Sequence, residues 1–333
     1  MKNFYKILFF SVMTTSTLLA ISSISWMVIW ASLEMNLLTF IPLMKMSKNK
    51  FSSESSIKYF ITQALASYFL LFMILISALS TYSQFELYIS ILLDSTLLMK
   101  MGVAPFHFWL PEVSSGISWE MNMILLMWQK IAPMILISYS PKPLMFLSTI
   151  SIFSSMFSSI LGFNQTCLRK IMAYSSINHS SWMVSALLVS LNTWLMYFFT
   201  YCMININIMI FFNKYNIFFI SQMSKLNPFN KTIKMIFMMN FLSLGGLPPF
   251  LGFFPKWLVT MLLIKMNLFA LSLILILSSL LSLYFYLRIA TTMLTICSEE
   301  SLLMKKKMSF KLMFFNTTVL SLLILCSLLT STF

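Results

Sequence analysis

Charge is scarce in this chain: only 9% of its 333 residues are Asp, Glu, Lys or Arg, and only 8 of them are acids. Histidine occurs twice, as His107 and His179, and glycine 6 times. So few acids and histidines leave no set for a metal cluster or a nucleophilic triad. The four cysteines, Cys167, Cys202, Cys297 and Cys326, are scattered without a CxxC, so neither a disulfide framework nor an iron–sulfur or zinc site is predicted. No Walker loop and no GxGxxG occurs, which removes the grounds for a nucleotide site.

What the chain does have is hydrocarbon. Hydrophobic residues make up 59% of it and the mean hydropathy is +0.89, outside the range of soluble domains. Crossing a ~30 Å apolar core takes about 20 residues as a helix. The chain therefore reads as an all-α polytopic membrane protein with no room for a folded soluble domain, and any function must sit inside the membrane. A net charge of +14 could suit nucleic acid, but the cations fall in loops between apolar runs, and topology is the simpler account.

Apolar runs predict eleven spans: 3 to 22, 24 to 44, 58 to 80, 87 to 110, 118 to 140, 144 to 163, 169 to 190, 192 to 212, 235 to 264, 268 to 296 and 312 to 331. Lys2 and Lys6 ahead of the first run suit a signal peptide, but the tight hairpin at Ser22 and Ser23 reads better as a turn between two spans. Only Lys142 and Lys265 fall on the side opposite the N-terminus. Lys100, Lys130, Lys256 and Arg288 lie within spans, and every other Lys and Arg falls on the N-terminal side. That bias places the N-terminus on the side from which segments insert and the C-terminus on the other.

Two spans are interrupted. Lys100 to Pro111 reads KMGVAPFHFWLP, and Ser243 to Trp257 reads SLGGLPPFLGFFPKW. Gly102, Gly245, Gly246 and Gly252 fall in these spans, with Pro105, Pro111, Pro248, Pro249 and Pro255. Irregular backbone at membrane depth is tolerated where protein or a wet cavity surrounds it. The interruptions fall in the fourth and ninth spans, an odd offset, so residues 1–140 and 144–296 are expected to form inverted five-helix halves, with 312–331 left over.

Four ionisable residues lie at hydrocarbon depth: Glu34, Lys100, Lys130 and Lys256. Such residues mark ion or proton paths, because an apolar substitute would be cheaper. Burial disfavours the charged form of acid and base alike, so groups of both kinds can exchange protons near neutral pH. A carboxylate moving toward or away from a lysine would load or unload its proton, with no cofactor. Bland readings stand beside this. Lys256 and Lys130 could snorkel to an interface, and His107 or His179 could be packing residues in place of proton relays. Arg288 reads as an anchor near a span end, and Glu112 and Glu120 as solvated.

WASLEMNLLTFIP, KMGVAPFHFWLPEV, LMWQKIAP, SSINHSSW and GGLPPFLGFFPKW, in this order, resemble the antiporter-like membrane subunits of mitochondrial respiratory complex I. The resemblance covers nearly the whole chain. It implies two inverted five-helix bundles, each with a discontinuous helix, and a proton path along a central polar axis. Animal members lack three helices of the fourteen, which agrees with eleven spans. The family's glutamate and three lysines fall on Glu34, Lys100, Lys130 and Lys256. Span eight departs from related subunits in having no ionisable side chain but tyrosine, so a path there would rest on Asn205, Asn207 and water. The resemblance further implies that FMN, iron–sulfur clusters and ubiquinone belong to other subunits, and that the partners are the neighbouring membrane-arm subunits and phospholipids such as cardiolipin. It implies the mitochondrial inner membrane, and the 30 Met and 33 Phe are similar to the usage of AT-rich insect-type mitochondrial genes. A free-standing cation/proton antiporter and a non-pumping structural subunit are the rival readings.

Overall fold

The computed structural model describes residues 2–45, 49–79, 86–226, 231–248 and 250–295. The span expected over 312–331 lies outside the described residues, as do Lys48, Pro249, Cys297, Cys326 and the lysines beyond residue 300. The chain divides into two compact units, Met1–Ile150 and Ser151–Phe333.

The first unit starts with α1 (Lys2–Ser22) and α2 (Trp26–Met44), a hairpin turned at 23–25. Then come α3 (Lys50–Leu79), α4 (Glu86–Met101), α5 (Trp109–Gly116) and a rod made of α6 (Trp119–Met123), a π-helical turn (Ile124–Trp128) and α7 (Gln129–Tyr139). α8 (Leu144–Gly162) leads into the second unit, which holds α9 (Leu168–Val189), α10 (Leu191–Tyr215), a 3-10 turn (Ile220–Leu226), α11 (Lys231–Gly245), α12 (Phe253–Lys265) and α13 (Phe269–Thr295). Seven helical segments among the described residues are long and apolar enough to cross a membrane. With no water to bond a bare peptide group, helices are the way such a chain satisfies its backbone.

Two boundaries differ from the sequence reading. α3 begins at Lys50, eight residues before the expected start, because the serines of KFSSESSIK turn inward and bond their own helix. Ser52, Ser55 and Ser56 are buried, and the Ser55 and Ser56 hydroxyls donate to the carbonyls of Ser52 and Ser53 at 2.9 and 2.7 Å. The fourth span is interrupted as expected, with α4 stopping at Met101 and the helix resuming as α5 at Trp109, but α5 runs to Gly116, past the expected end at 110.

α4 and α11 end in the same way. Gly102 and Gly246 take the left-handed conformation, with φ of +71° and +77°. Behind the first, the N–H groups of Gly102 and Val103 bond the carbonyls of Met99 and Leu98 at 3.2 Å each. Behind the second, Gly246 and Leu247 bond Ser243 and Leu242 at 3.0 and 3.4 Å. This is the Schellman arrangement, and only glycine adopts its central conformation without strain.

α9 is the least membrane-like in composition and the most enclosed. Its SSINHSSW stretch is buried throughout, and it packs among α10, α12 and α13. The hydroxyls of Ser175, Ser176, Ser180 and Ser181 turn back onto carbonyls three residues earlier at 2.6–2.7 Å. Asn178 Nδ2 reaches Ser282 Oγ of α13 at 2.9 Å. The helix is polar because protein surrounds it.

Replacing Gly246 with alanine would put a Cβ 2.8 Å from Lys256 Cδ and 3.0 Å from its Nζ, on backbone that alanine disfavours. A loss of about 1–2 kcal/mol is expected. At Gly245 the new Cβ would meet Leu283 at 3.4 Å and Tyr286 at 3.7 Å, ordinary van der Waals contacts, and the change should stay within about 0.5 kcal/mol. Thermal denaturation of the detergent-solubilised variants checks this, and equal midpoints would contradict it.

Candidate functional site

In the first unit the site is built where α4 breaks. Stopping a helix inside a membrane leaves its last carbonyls without partners. Here three of them find one. Leu98 and Met99 are taken by the turn itself, Trp109 Nε1 adds a bond to Met99 O at 3.2 Å, and Gln63 Nε2 of α3 donates to Lys100 O at 3.1 Å. With its carbonyl capped by a neutral amide, Lys100 keeps its ammonium for other work. The side chain is 7% exposed and lines a cavity of about 20 Å³ with Leu33, Asn36, Tyr59, Gln63 and Gln129. That volume holds about one water molecule.

Asn36 of α2 and Gln129 of α7 face each other across this cavity as a doubly bonded amide pair, with both contacts at 3.0 Å. Gln129 is the first residue of α7, directly after the π-helical turn. Such turns widen a helix by one residue and recur at functional sites. Pro133 lacks the N–H that would bond the Gln129 carbonyl in a regular helix. Glu34 of α2 is half-buried and within electrostatic range of Lys100. Lys130, next to Gln129, is 1% exposed, so it does not snorkel to an interface. His107, in the break between α4 and α5, is buried with its ring 4.3 Å from that of Phe108.

The second unit solves the same problem differently. Leu242 and Ser243 are again taken by the glycine turn, but Gly245 O accepts from Lys256 Nζ of α12 at 3.0 Å. The lysine itself is the cap. It is 7% exposed and its ammonium lies 5.8 Å from the centroid of the Trp182 ring, within cation–π range. A cation at a helix C-terminus meets the negative end of the helix dipole.

His179 of α9 is 6% exposed and its Nδ1 is 2.9 Å from Tyr197 Oη of α10, with the Tyr201 ring 5.2 Å away. Asn205 and Asn207 of α10 are 1% and 0% exposed. Neither Asn207 amide atom has a hydrogen-bond partner among the described residues, and such buried groups are ordinarily met by water. Arg288 anchors α13 to the segment before α9, donating through Nη1 to Phe163 O at 2.7 Å and through Nη2 to Gln165 O. Glu112 and Glu120 are exposed, and Glu112 joins Glu54 in a surface pair with Lys58 at 2.9 Å.

The structure thus brings Glu34 and Lys100 into one site with three amides that sequence reasoning did not single out, Asn36, Gln63 and Gln129. It also buries Asp94, which went unremarked. That aspartate, in LLDSTLL, is 0% exposed. An acid inside an apolar run was the available signal.

The chain matches the family described as NADH:quinone oxidoreductase/Mrp antiporter, TM, over residues 23–282. It is 43% identical to NADH-ubiquinone oxidoreductase chain 2 of Anopheles gambiae over 341 residues, 99% of each chain, and 43% identical to the same chain of Locusta migratoria, over 92% and 91% of the two. Among solved structures, respiratory complex I from Thermus thermophilus with bound aureothin has a chain of the same fold, with a TM-score of 0.87 at 21% identity. The match covers 98% of this chain and 79% of that one. The Mrp complex from Dietzia sp. aligns with a TM-score of 0.75 at 15% identity, over 90% and 62%. The chain belongs to the NADH:quinone oxidoreductase/Mrp antiporter membrane family.

Proposed function

We propose that the chain is the antiporter-like subunit of a mitochondrial complex I and moves protons through its buried lysines and glutamate, with the redox cofactors and ubiquinone held by other subunits. The observation that carries this reading is Lys100. An ammonium-bearing side chain has been built into the end of a broken helix, relieved of capping duty by Gln63, beside a water-sized polar cavity and within range of Glu34. A purely structural subunit has no need of that arrangement, since an apolar residue would fill the position at lower cost.

In this reading Glu34 and Lys100 form a switch. When Glu34 is near, the pair's attraction holds a proton on Lys100. When Glu34 is drawn away, Lys100 releases the proton through the cavity water and the Asn36–Gln129 amides. Lys130 takes part next along α7, and His107 and His179 serve as subsidiary relays. Lys256 repeats the device in the second unit, with Asn205 and Asn207 offering buried amides to water. The shared glycine termination at residues 102 and 246 supports a duplicated five-helix architecture over 1–140 and 144–296. Together with the odd offset of the breaks, it supports inverted halves and eleven spans. The cation distribution supports an N-terminus in the matrix and a C-terminus in the intermembrane space, and a multi-pass surface of this kind suits contact with neighbouring membrane-arm subunits and cardiolipin.

Mildly solubilised inner membranes run on a native gel, probed with an antibody to the 214 to 231 loop and stained for NADH dehydrogenase activity, should show the chain in the active, very large band. A signal only at low mass would instead identify a free-standing antiporter. In the assembled complex, Lys100→Met is expected to lower coupled NADH:quinone turnover roughly tenfold or more and to reduce protons moved per NADH, while NADH oxidation by an artificial acceptor stays unchanged. Glu34→Gln, which leaves the lysine in place, should cost roughly threefold. Normal proton yield in both variants would make this a structural subunit.

A further inference from the structure

Asp94 sits on α4 two turns before Lys100, is fully buried, and belongs to no ion pair among the described residues. α4 packs against α3 and α7. On those helices the titratable groups are Lys50, Glu54, Lys58, Tyr59, Tyr68, Lys130 and Tyr139, with Lys50 exposed at the start of α3. Glu54 and Lys58 pair at the surface, Tyr59 lines the Lys100 cavity, Tyr68 is exposed, and Lys130 begins α7 at the end away from Asp94. Tyr139, at the near end, donates to Ile21 O at 3.0 Å. None of these is recorded as an ionic partner of the aspartate. Its polar neighbour is Ser140, the residue after the end of α7, whose Oγ is 2.6 Å from Asp94 Oδ1, while Oδ2 has no hydrogen-bond partner among the described residues.

The Ser140 hydroxyl has two neighbours and one proton. Its Oγ is also 2.9 Å from the carbonyl of Ile137. In a regular helix that carbonyl would take the N–H of residue 141, but residue 141 is proline and has none. The Ser140 hydroxyl can supply the donor that Pro141 withholds from Ile137 O. A hydroxyl that donates in one direction can only accept in the other. When the hydroxyl donates to Ile137 O, the proton in the 2.6 Å contact comes from Asp94. A buried carboxylate anion with no cation beside it is costly, whereas a carboxylic acid donating to Ser140 is not, so the acid is the resting form and the anion is short-lived.

We propose that Asp94 carries a proton as a neutral carboxylic acid in this conformation, and that it is a proton-carrying site between Lys100 and the membrane surface at the end of α7. The inference rests on the proton-moving reading above. Six residues along α4 separate it from Lys100 by about 9 Å of helix rise. On its other side, Ser140 adjoins the exposed Tyr139, Pro141 and Lys142. In the release step the Asp94 O–H bond breaks as Ser140 Oγ takes its proton, the O–H bond that Ser140 had turned to Ile137 O breaks, and an O–H bond forms at a water at this end of α7. The carboxylate left behind is then refilled from Lys100, and no electrons change hands.

Infrared difference spectra of the intact complex in membranes, with proton yield per NADH measured in parallel, test this. The wild type should show the C=O stretch of a protonated carboxyl that Asp94→Asn removes, and that variant's proton yield should fall to the level of Lys100→Met. An unchanged band and full yield in Asp94→Asn, with yield still lost in Lys100→Met, would overturn the Asp94 assignment alone. Full yield in both would overturn it together with the reading it rests on. Should Asp94→Asn fail to assemble, Ser140→Ala keeps the acid and removes its acceptor. The carboxyl band is then expected to shift in frequency, and an unshifted band would refute the proposal.

Discussion

A helix that stops inside a membrane must find partners for its last carbonyls, and the two sites here are organised by that demand. In water the cost of an uncapped end is small, because solvent fills it. In hydrocarbon each unmet carbonyl costs several kcal/mol, so the break can exist only where other side chains arrive to meet it. The Schellman turn at Gly102 or Gly246 settles the carbonyls three and four residues before the glycine. It leaves at least one more, and the choice of partner for that one decides what the neighbouring lysine is free to do.

In the first unit the partner is an amide from another helix, and Lys100 is left facing a polar cavity. In the second the partner is Lys256, tied to the carbonyl of Gly245 across the break between α11 and α12. The two lysines are therefore not equivalent parts. Lys100 faces a cavity and lies within electrostatic range of Glu34. Lys256 responds to the gap between two helix segments, since any sliding of α12 against α11 makes or breaks its bond. One is suited to sensing charge and the other to sensing geometry.

The breaks were legible in the sequence because glycine is so rare here that four of six falling in two spans could only reflect local need. The depths of Lys100 and Lys130 followed from counting residues into each span. Where the reading fell short, the missing information was tertiary. Nothing in KFSSESSIK says that its serines will be buried, because a serine that bonds its own helix is locally indistinguishable from one facing water. Gln63, Gln129 and Asn36 look like ordinary polar residues until α2, α3 and α7 bring them to one cavity. The capping role of Lys256 depends on a contact eleven residues back across a break. Asp94 is a different case, since an acid within an apolar run was in plain view and the lysine six residues later drew the attention.

Prolines and serines complete the picture in a way that composition alone conceals. Proline in a membrane helix is usually read as a kink, yet at Pro133 and Pro141 its effect here is to withhold an N–H from a carbonyl lying beside a site. At Pro133 the carbonyl affected belongs to Gln129, on the cavity wall. At Pro141 it belongs to Ile137, and the Ser140 hydroxyl takes the place of the absent donor. That substitution gives the Ser140 hydroxyl a second acceptor beside the Asp94 carboxyl. Two backbone donors withheld, one within α7 and one just after it, thus help to specify the polar surroundings of Lys100 and Asp94 on α4, with no charged residue spent in doing so.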